Sequence, residues 1–501
     1  MNKKNKIKKK NIKSETKKMK EKSIKYILKN NFNYPNNFTP DIKCKEIKEK
    51  YNIYTREQLK KKNINKKVCG RIINIRIMGK ASFCILKDFS GKIQIYISKK
   101  NIKKKFYDNH FKKWDLGDII GVYGKIFKTN TKEITIKCKK LKLLNKIFRP
   151  IPNRFYGLID KEKCYRRRHL DLISNEASIK KFVIRSKIIF FIRKFFHQKK
   201  FIEVETPIIQ NIPGGASAKP FITYYNSFKK NMYLRISPEL YLKKLIIGGF
   251  EKIFEINKSF RNEGISKKHN PEFTMIEAYS AYSNYEYMMK LIENLFKYIL
   301  KKIQKNYVIK YKNLKINFKK KFNIITMNKS ILKFNKDIKN SDIKDIKKLK
   351  KIAQKKKLII KKKWNLEKLK VKIFEQTVEK NIIYPTFITH YPVETSPLAK
   401  RMKKKKYLTE RFELFISGME ISNGFSELNN PIDQKKRFKK QIKNKKKNKN
   451  NFYDKEYINA LEYGLPPTSG IGIGIDRIIM LLTNSKNIRD VILFPTLKDN
   501  V

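Results

Sequence analysis

Acidic residues are scarce in this chain: 43 Asp and Glu stand against 121 Lys and Arg, a formal net charge of +78 over 501 residues. Such an excess ordinarily marks a nucleic-acid partner, because Lys and Arg gain affinity by releasing counterions from phosphates. Here Lys recurs with Asn and Ile through nearly every segment, so a compositional bias accounts for much of it. Cysteine is sparse too. Cys44, Cys69, Cys84, Cys138 and Cys164 form no CxxC pair and stand far apart, which indicates neither a zinc site nor a disulfide framework. An odd count suits a reducing cytoplasm, where the protein is expected. Long apolar runs are missing: even Ile188 to Phe196 is interrupted by Arg193 and Lys194, so no membrane span is expected. The Lys-rich N-terminus lacks an apolar signal core and reads as a solvated tail. Neither a Walker A lysine motif nor a Rossmann GxGxxG fingerprint occurs.

What is present points to a folded chain of two or three domains, with 40% hydrophobic residues. Residues 1–62 are basic and low in complexity, with a disordered first thirty and one helix between Thr39 and Lys62. From Val68 to Leu144, short alternating segments are separated by turn signals such as Met78-Gly79 and Phe89-Ser90-Gly91. About five strands in that span predict an OB barrel over 63–148. A proline-containing connection, Arg149 to Gly157, opens a third region, 149–501. There a helix from Glu176 to Lys200 runs into a strand from Phe201 to Pro207, and residues 290–380 read as helices and a β segment. The Lys/Asn-rich run Gln441 to Asn451 reads as an exposed loop.

The chemistry concentrates in three places. Phe254-Glu255-Ile256 leads through Phe260-Arg261-Asn262-Glu263-Gly264 to a polar turn, and His269-Asn270-Pro271-Glu272-Phe273 to Tyr279 returns, as an antiparallel hairpin would. Side chains two apart share a face, which puts Arg261, Glu263, Phe273, Glu277 and Tyr279 together and Phe260, Thr274, Ile276 and Ala278 on the other side. A guanidinium beside an aromatic ring and carboxylates can hold a phosphate, stack a purine and grip an ammonium, which suits ATP and an amino acid together. A second hairpin, Arg411 to Ile421, turns at Ser417-Gly418. Its two-residue turn pairs Phe415 with Glu420 and Glu413 with Ser422, leaving Glu413 and Glu420 diagonal at roughly 7–8 Å. Magnesium is a natural guest there, although solvated strand carboxylates fit the same spacing. Downstream, Asn423, Phe425 and Glu427 share a face of opposite parity to Glu420, so either a bulge intervenes or the two sets serve different pockets. Finally, Gly470, Gly472 and Gly474 lead to Arg477 at a helix start, where it can clamp phosphate and stack on adenine.

The first hairpin resembles motif 2 of the class II aminoacyl-tRNA synthetases. Its run Phe-Arg-Asn-Glu-Gly-Ile-Ser through His-Asn-Pro-Glu-Phe-Thr is similar to that of the lysyl members of subclass IIb. The Glu176–Pro207 segment resembles motif 1, which forms the dimer interface in that family, and Gly464 to Arg477 resembles motif 3. The resemblance implies an α+β chain, an OB-fold barrel followed by a catalytic domain with an antiparallel sheet flanked by helices. It implies a homodimer that activates L-lysine with ATP and transfers it to tRNA(Lys). Arg261, Glu263 and Arg477 become catalytic, with His269, Asn270, Phe273 and Glu413 also on ATP and Glu413 and Glu420 on Mg²⁺. Glu239 takes the α-amino group, Glu427 and Tyr279 the ε-ammonium, Glu277 assists, and Gly215, Asn423 and Phe425 complete the lysine site. In the shared pocket that this implies, a bulge must join the two parity sets. On the barrel, Arg76, Phe83, Gln94 and Glu133 would read the central anticodon base. Three acids favour a doubly cationic amino acid over aspartate or asparagine, the substrates of the rival members of the same subclass; a degenerate RNA-binding protein is the rival from another class.

Overall fold

The computed structural model describes residues 3–152, 158–361, 364–444 and 453–498. The latter part of the Arg149–Gly157 connection and most of the Gln441–Asn451 run lie outside them. The chain forms two compact units, Met1–Asn175 and Glu176–Val501.

In the first unit, five strands close a barrel in the order Asn65–Met78, Ala81–Lys87, Lys92–Ser98, Ile134–Asn145, Ile119–Lys128. Their alternation sends Cys84, Leu86, Ile93, Ile95, Ile97, Ile120, Val122 and Ile136 into one apolar core. Two helices, Cys44–Tyr51 and Arg56–Lys62, replace the single one expected before the barrel, because Thr55 starts a new helix with a capping box to Gln58. The first thirty residues also depart from expectation. Lys3–Lys29 is a helix whose far end is tethered to the barrel unit: Ser23 Oγ donates to Ile147 O at 2.7 Å, and Trp114 Nε1 donates to Tyr26 Oη at 3.0 Å. Buried anchors at that end outweigh the low complexity that suggested disorder. All five cysteines are free, and burial pushes the thiols of Cys84 and Cys138 up to about 12.

The second unit is built on an eight-stranded sheet, in the order Asn323–Thr326, Thr386–Thr389, Arg411–Ile416, Met419–Ser426, Thr468–Gly474, Glu272–Ala281, Lys252–Phe260, Ile202–Glu203. Its six central strands are antiparallel, as expected, but both edge strands pair in parallel, so the sheet is mixed. The expected strand from Phe201 to Pro207 shrinks to Ile202–Glu203. Helices Glu176–Gln198 and Tyr285–Ile303 cover one face of the sheet. The latter buries Met288, Met289, Leu291, Ile292, Leu295, Phe296, Ile299 and Leu300, a stripe at helical spacing that meets Ile276, Ala278, Ile471 and Ile473. Those apolar residues alternate with Glu277, Tyr279, Gly470 and Gly472, which line a cavity on the opposite face. Among the described residues no helix is long and apolar enough to cross a membrane.

Candidate active site

The cavity measures about 1410 Å³, and its wall includes Arg261, Glu263, His269, Asn270, Phe273, Glu277, Tyr279, Gly215, Glu239, Glu420, Asn423, Phe425, Glu427 and Arg477. The parity read from the first hairpin therefore holds: Ser259 opposes Phe273 and Glu255 opposes Glu277, and one face carries the polar set.

At one end three carboxylates come together. Glu239, Glu277 and Glu427 are 7%, 4% and 1% exposed. Ser237 Oγ donates to Glu277 Oε1 at 2.8 Å and accepts from the Glu239 amide at 3.1 Å, while Tyr279 Oη donates to Glu277 Oε2 at 3.1 Å. Glycine makes the crowding possible. A Cβ on Gly470 would collide with Glu427 Oε1 and the Tyr279 ring, and Gly215, at φ +79°, stands where a Cβ would lie 2.8 Å from that of Glu239. Burial pushes the Glu277 carboxyl up to about 8, helped by Glu239 and opposed by its bonds from Ser237 and Tyr279. Burial likewise pushes Glu427 up to about 8, against the pull of Lys243. Neither Glu427 oxygen has a well-aligned hydrogen bond among the described residues, so its contact with Lys243 is an ion pair that leaves acceptor capacity free.

The other end is cationic. The Arg261 guanidinium lies 5.1 Å from the Phe273 ring centre, and its buried Nε has no hydrogen-bond partner among the described residues. Burial lowers its pKa. Arg477 donates to the Glu420 carbonyl at 2.5 Å and to Glu420 Oε2 at 3.4 Å, and its Nη2 lies 3.2 Å from His269 Nε2. Burial and Arg477 lower the His269 pKa. Asn270 lines the wall, but its amide is occupied by Glu272 O and the Thr496 amide, so it shapes the turn. Beneath the first hairpin, Asp476 ties it to the helix Glu176–Gln198, accepting from the Thr274 amide at 2.8 Å and from Arg185 Nη1 at 2.5 Å.

The second hairpin turns at Ser417-Gly418, both at positive φ, as a two-residue turn requires. Phe415 opposes Glu420 as expected, but a register shift follows, so Glu413 opposes Asn423 and not Ser422. That bulge is the one the parity conflict demanded: Glu420, Asn423, Phe425 and Glu427 all reach the cavity. Glu413 lies beside the cavity, bonded by Tyr391 Oη at 2.8 Å and Arg411 Nη2 at 2.6 Å. Burial pushes its carboxyl up to about 7, opposed by Arg411 and helped by Glu420, and burial with Glu413 and Glu420 nearby pushes Glu379 up to about 8. Among the described residues no three His, Cys, Asp or Glu side chains form a ready metal cage.

Two residues of this site went unread in the sequence. Lys243 had a signal, four places after Glu239 on the helix Glu239–Ile247. Arg411 had one too, two places before Glu413 on the same strand face, where it also donates to Asn423 Oδ1 at 3.0 Å. On the barrel, Arg76 pairs with Phe83, and Phe83 with Tyr96. Phe83, Tyr96 and Phe127 form a half-exposed aromatic row at 5.3 and 6.2 Å between centres. Gln94 donates to Thr135 Oγ1 at 3.2 Å and Glu133 pairs with Lys48 at 2.7 Å.

A family model described as tRNA synthetases class II (D, K and N) matches residues 160–498, and one described as an OB-fold nucleic acid binding domain matches residues 66–144. The chain belongs to the class II tRNA synthetases of this D, K and N group. Relatives named lysine–tRNA ligase include that of Buchnera aphidicola from Schizaphis graminum, 56% identical over 490 residues and covering 97% of both chains. The protein of that name from Wigglesworthia glossinidia brevipalpis is 53% identical, covering 95% of this chain and 97% of its own. That of Photorhabdus laumondii is 49% identical, covering 94% of each.

Proposed function

We propose that the chain is a lysine–tRNA ligase: it joins L-lysine and ATP into lysyl-adenylate and pyrophosphate, then passes the lysyl group to the terminal ribose of tRNA(Lys). One observation carries the reading. Three buried carboxylates converge at one end of a cavity whose other end holds two arginines. A diammonium amino acid fits the acidic end, with Glu239 on its α-amino group and Glu427, Tyr279 and Glu277 around the ε-ammonium. Its own carboxylate then points toward Arg261 and the nucleotide. Gly215, Asn423 and Phe425 shape the walls.

The lysine carboxylate attacks the α-phosphorus of ATP in line as pyrophosphate departs, and Arg261 stabilises the charge that develops on the phosphoryl oxygens. Its unpartnered Nε and the adjacent Phe273 ring suit a phosphate and a purine. Arg477, held by Glu420 and His269, clamps the nucleotide from the other side, and Glu263 lies at the rim. A terminal ribose hydroxyl of the tRNA then attacks the lysyl carbonyl and AMP leaves. Glu413 and Glu420 fit a magnesium ion shared with ATP, since burial and mutual repulsion raise Glu413 and Glu379, and an incoming dication would relieve both. Bound there, Mg²⁺ would neutralise phosphate charge.

Arg76, Phe83, Gln94 and Glu133, with the unforeseen Tyr96 and Phe127, give the barrel a stacking platform suited to unpaired anticodon bases. A homodimer through the motif 1 segment is supported by exposed Phe190, Ile202, Ile208 and Ile209. Five free cysteines suit a cytoplasmic setting. The test is ATP–pyrophosphate exchange with purified protein and each amino acid in turn. Exchange driven by lysine is expected; exchange driven by aspartate or asparagine, or none, would overturn the reading.

A further inference from the structure

Behind the three carboxylates sits a charged group that the chemistry above does not use. Lys243 is fully buried, with Nζ 2.7 Å from Glu239 Oε1, 2.5 Å from Glu427 Oε2 and 5.3 Å from the centre of the Phe425 ring. The ionisable groups facing it come from four elements. Glu239 shares its helix, Glu427 follows the strand Met419–Ser426, Tyr457 lies on the helix Lys455–Glu462 with Asp454 at its cap, and Glu277 and Tyr279 stand beyond Glu239 on the first hairpin. Burial alone would discharge such an ammonium, but Glu239 and Glu427 outweigh it and raise its pKa.

An ordinary helical Glu–Lys pair would stop at Glu239. This lysine instead joins a helix carboxylate to a strand carboxylate that would otherwise repel each other across the cavity. With all four groups ionised, three acids and one ammonium leave two negative charges, and free lysine brings two ammonium groups. Without Lys243 the third charge would be quenched by a proton, and a protonated carboxyl is a poorer acceptor for an ammonium ligand.

We propose that Lys243 is a positioning residue that bridges Glu239 and Glu427 and sets the net charge of the amine end to match a diammonium substrate. The inference rests on the lysine reading of the cavity. It acts through the two carboxylates, and its signature is the protonation of the pocket.

The test compares K243M, K243R and wild-type full-length protein in lysine-dependent pyrophosphate exchange between pH 6 and 9.5, with lysine and ATP varied separately. In K243M the lysine KM rises tenfold or more, the ATP KM stays within twofold, and the acid limb of kcat/KM for lysine moves up by at least one pH unit. K243R keeps the wild-type limb. A K243M enzyme with an unmoved limb overturns the proposal, whether its lysine KM is unchanged or rises in step with that for ATP. Carboxyl titration by NMR of the ligand-free proteins, labelled at glutamate, should show the same upward move. That arm still decides if the wild type proves to activate a different amino acid, in which case the functional reading fails by itself. Should K243M not fold, the wild type decides: Nζ of Lys243 must remain an ammonium up to pH 9.5, and a neutral amine at pH 8 refutes the bridge.

Discussion

Replacing Glu427 by glutamine keeps the side-chain volume and removes one charge from the floor of the pocket. A ligand ammonium about 3 Å from that carboxylate gains ~5–6 kcal/mol at an effective dielectric of ~20. The free carboxyl, pushed up to about 8, must first lose its proton at pH 7, which costs ~1.4 kcal/mol for one unit. The difference, ~4 kcal/mol, corresponds to roughly a thousandfold loss in kcat/KM for lysine in E427Q. The ATP KM should move little, because Glu427 lies at the amine end and the nucleotide groups at the other. Stability should barely change, since Lys243 keeps Glu239 as its partner at 2.7 Å. Pyrophosphate exchange with lysine and ATP varied separately, beside a thermal melt, provides the measurement. A loss under tenfold, or equal losses for lysine and ATP, would refute the assignment of Glu427 to the lysine ammonium.

Burial pushes the Glu277 and Glu427 carboxyls up to about 8, so the acidic cluster carries part of its proton complement at pH 7 in the ligand-free fold and releases it to receive an ammonium. The kcat/KM for lysine therefore rises from pH 6 to about 8 and flattens above, and calorimetry in buffers of different ionisation enthalpy detects proton release on binding; a flat profile contradicts this. The same shifts bear on folding: a carboxyl raised from 4.5 contributes stability that is complete below pH 4.5 and lost as pH rises through about 8, so ligand-free E277Q should lose less stability than wild type across that window. R261A should lower kcat of exchange by ~10²–10³-fold with little change in melting temperature, because the buried Nε it removes has no hydrogen-bond partner among the described residues; retention of kcat would refute the role given to Arg261, and a wild type without exchange would point to the degenerate RNA-binding protein. F83A should lower kcat/KM for tRNA charging roughly ten- to hundredfold, the worth of ~1–3 kcal/mol of base stacking, and leave exchange intact; an equal fall in exchange would mark Phe83 as structural.

Local periodicity carried most of what could be read in advance. Alternation along the first hairpin assigned Glu277 and Tyr279 to one face and Ile276 and Ala278 to the other, because period two is a property of the strand itself. The same rule exposed a conflict between Glu420 and Glu427 that left either a bulge or two separate pockets, and the register shift between Leu414 and Phe415 is the bulge. What stayed hidden depends on contacts between distant segments. The parallel edge pairing of Asn323–Thr326 with Thr386–Thr389 spans some sixty residues with no pattern to announce it. The N-terminal helix is anchored by Ser23 and Tyr26 against Ile147 and Trp114, which no low-complexity measure sees. Lys243 is hidden among the many lysines of a biased composition: its spacing from Glu239 is a weak signal that exposed helical pairs share, and its burial is what separates it from them.

The two halves of the cavity explain why such a basic chain keeps its few acids together. In the reading proposed above, Arg261 and Arg477 serve polyphosphate at the nucleotide end, and at the amine end the acids must be concentrated and protected from the surrounding lysines. A solvent-exposed glutamate in this chain would readily find a lysine partner, as Glu133 does with Lys48. Burial is thus a condition of specificity, since it excludes adventitious cations, but it also drives the acids toward protonation. One internal ammonium placed between two of them limits that tendency while leaving two charges for the ligand. A zwitterion with an extra positive charge can then enter in one orientation, ammonium groups inward and carboxylate toward Arg261. Cancelling the net charge at the amine end with a Glu239→Lys change would remove this polarity, and the expected result is loss of lysine-dependent exchange with the ATP site still able to bind nucleotide, measured by calorimetry.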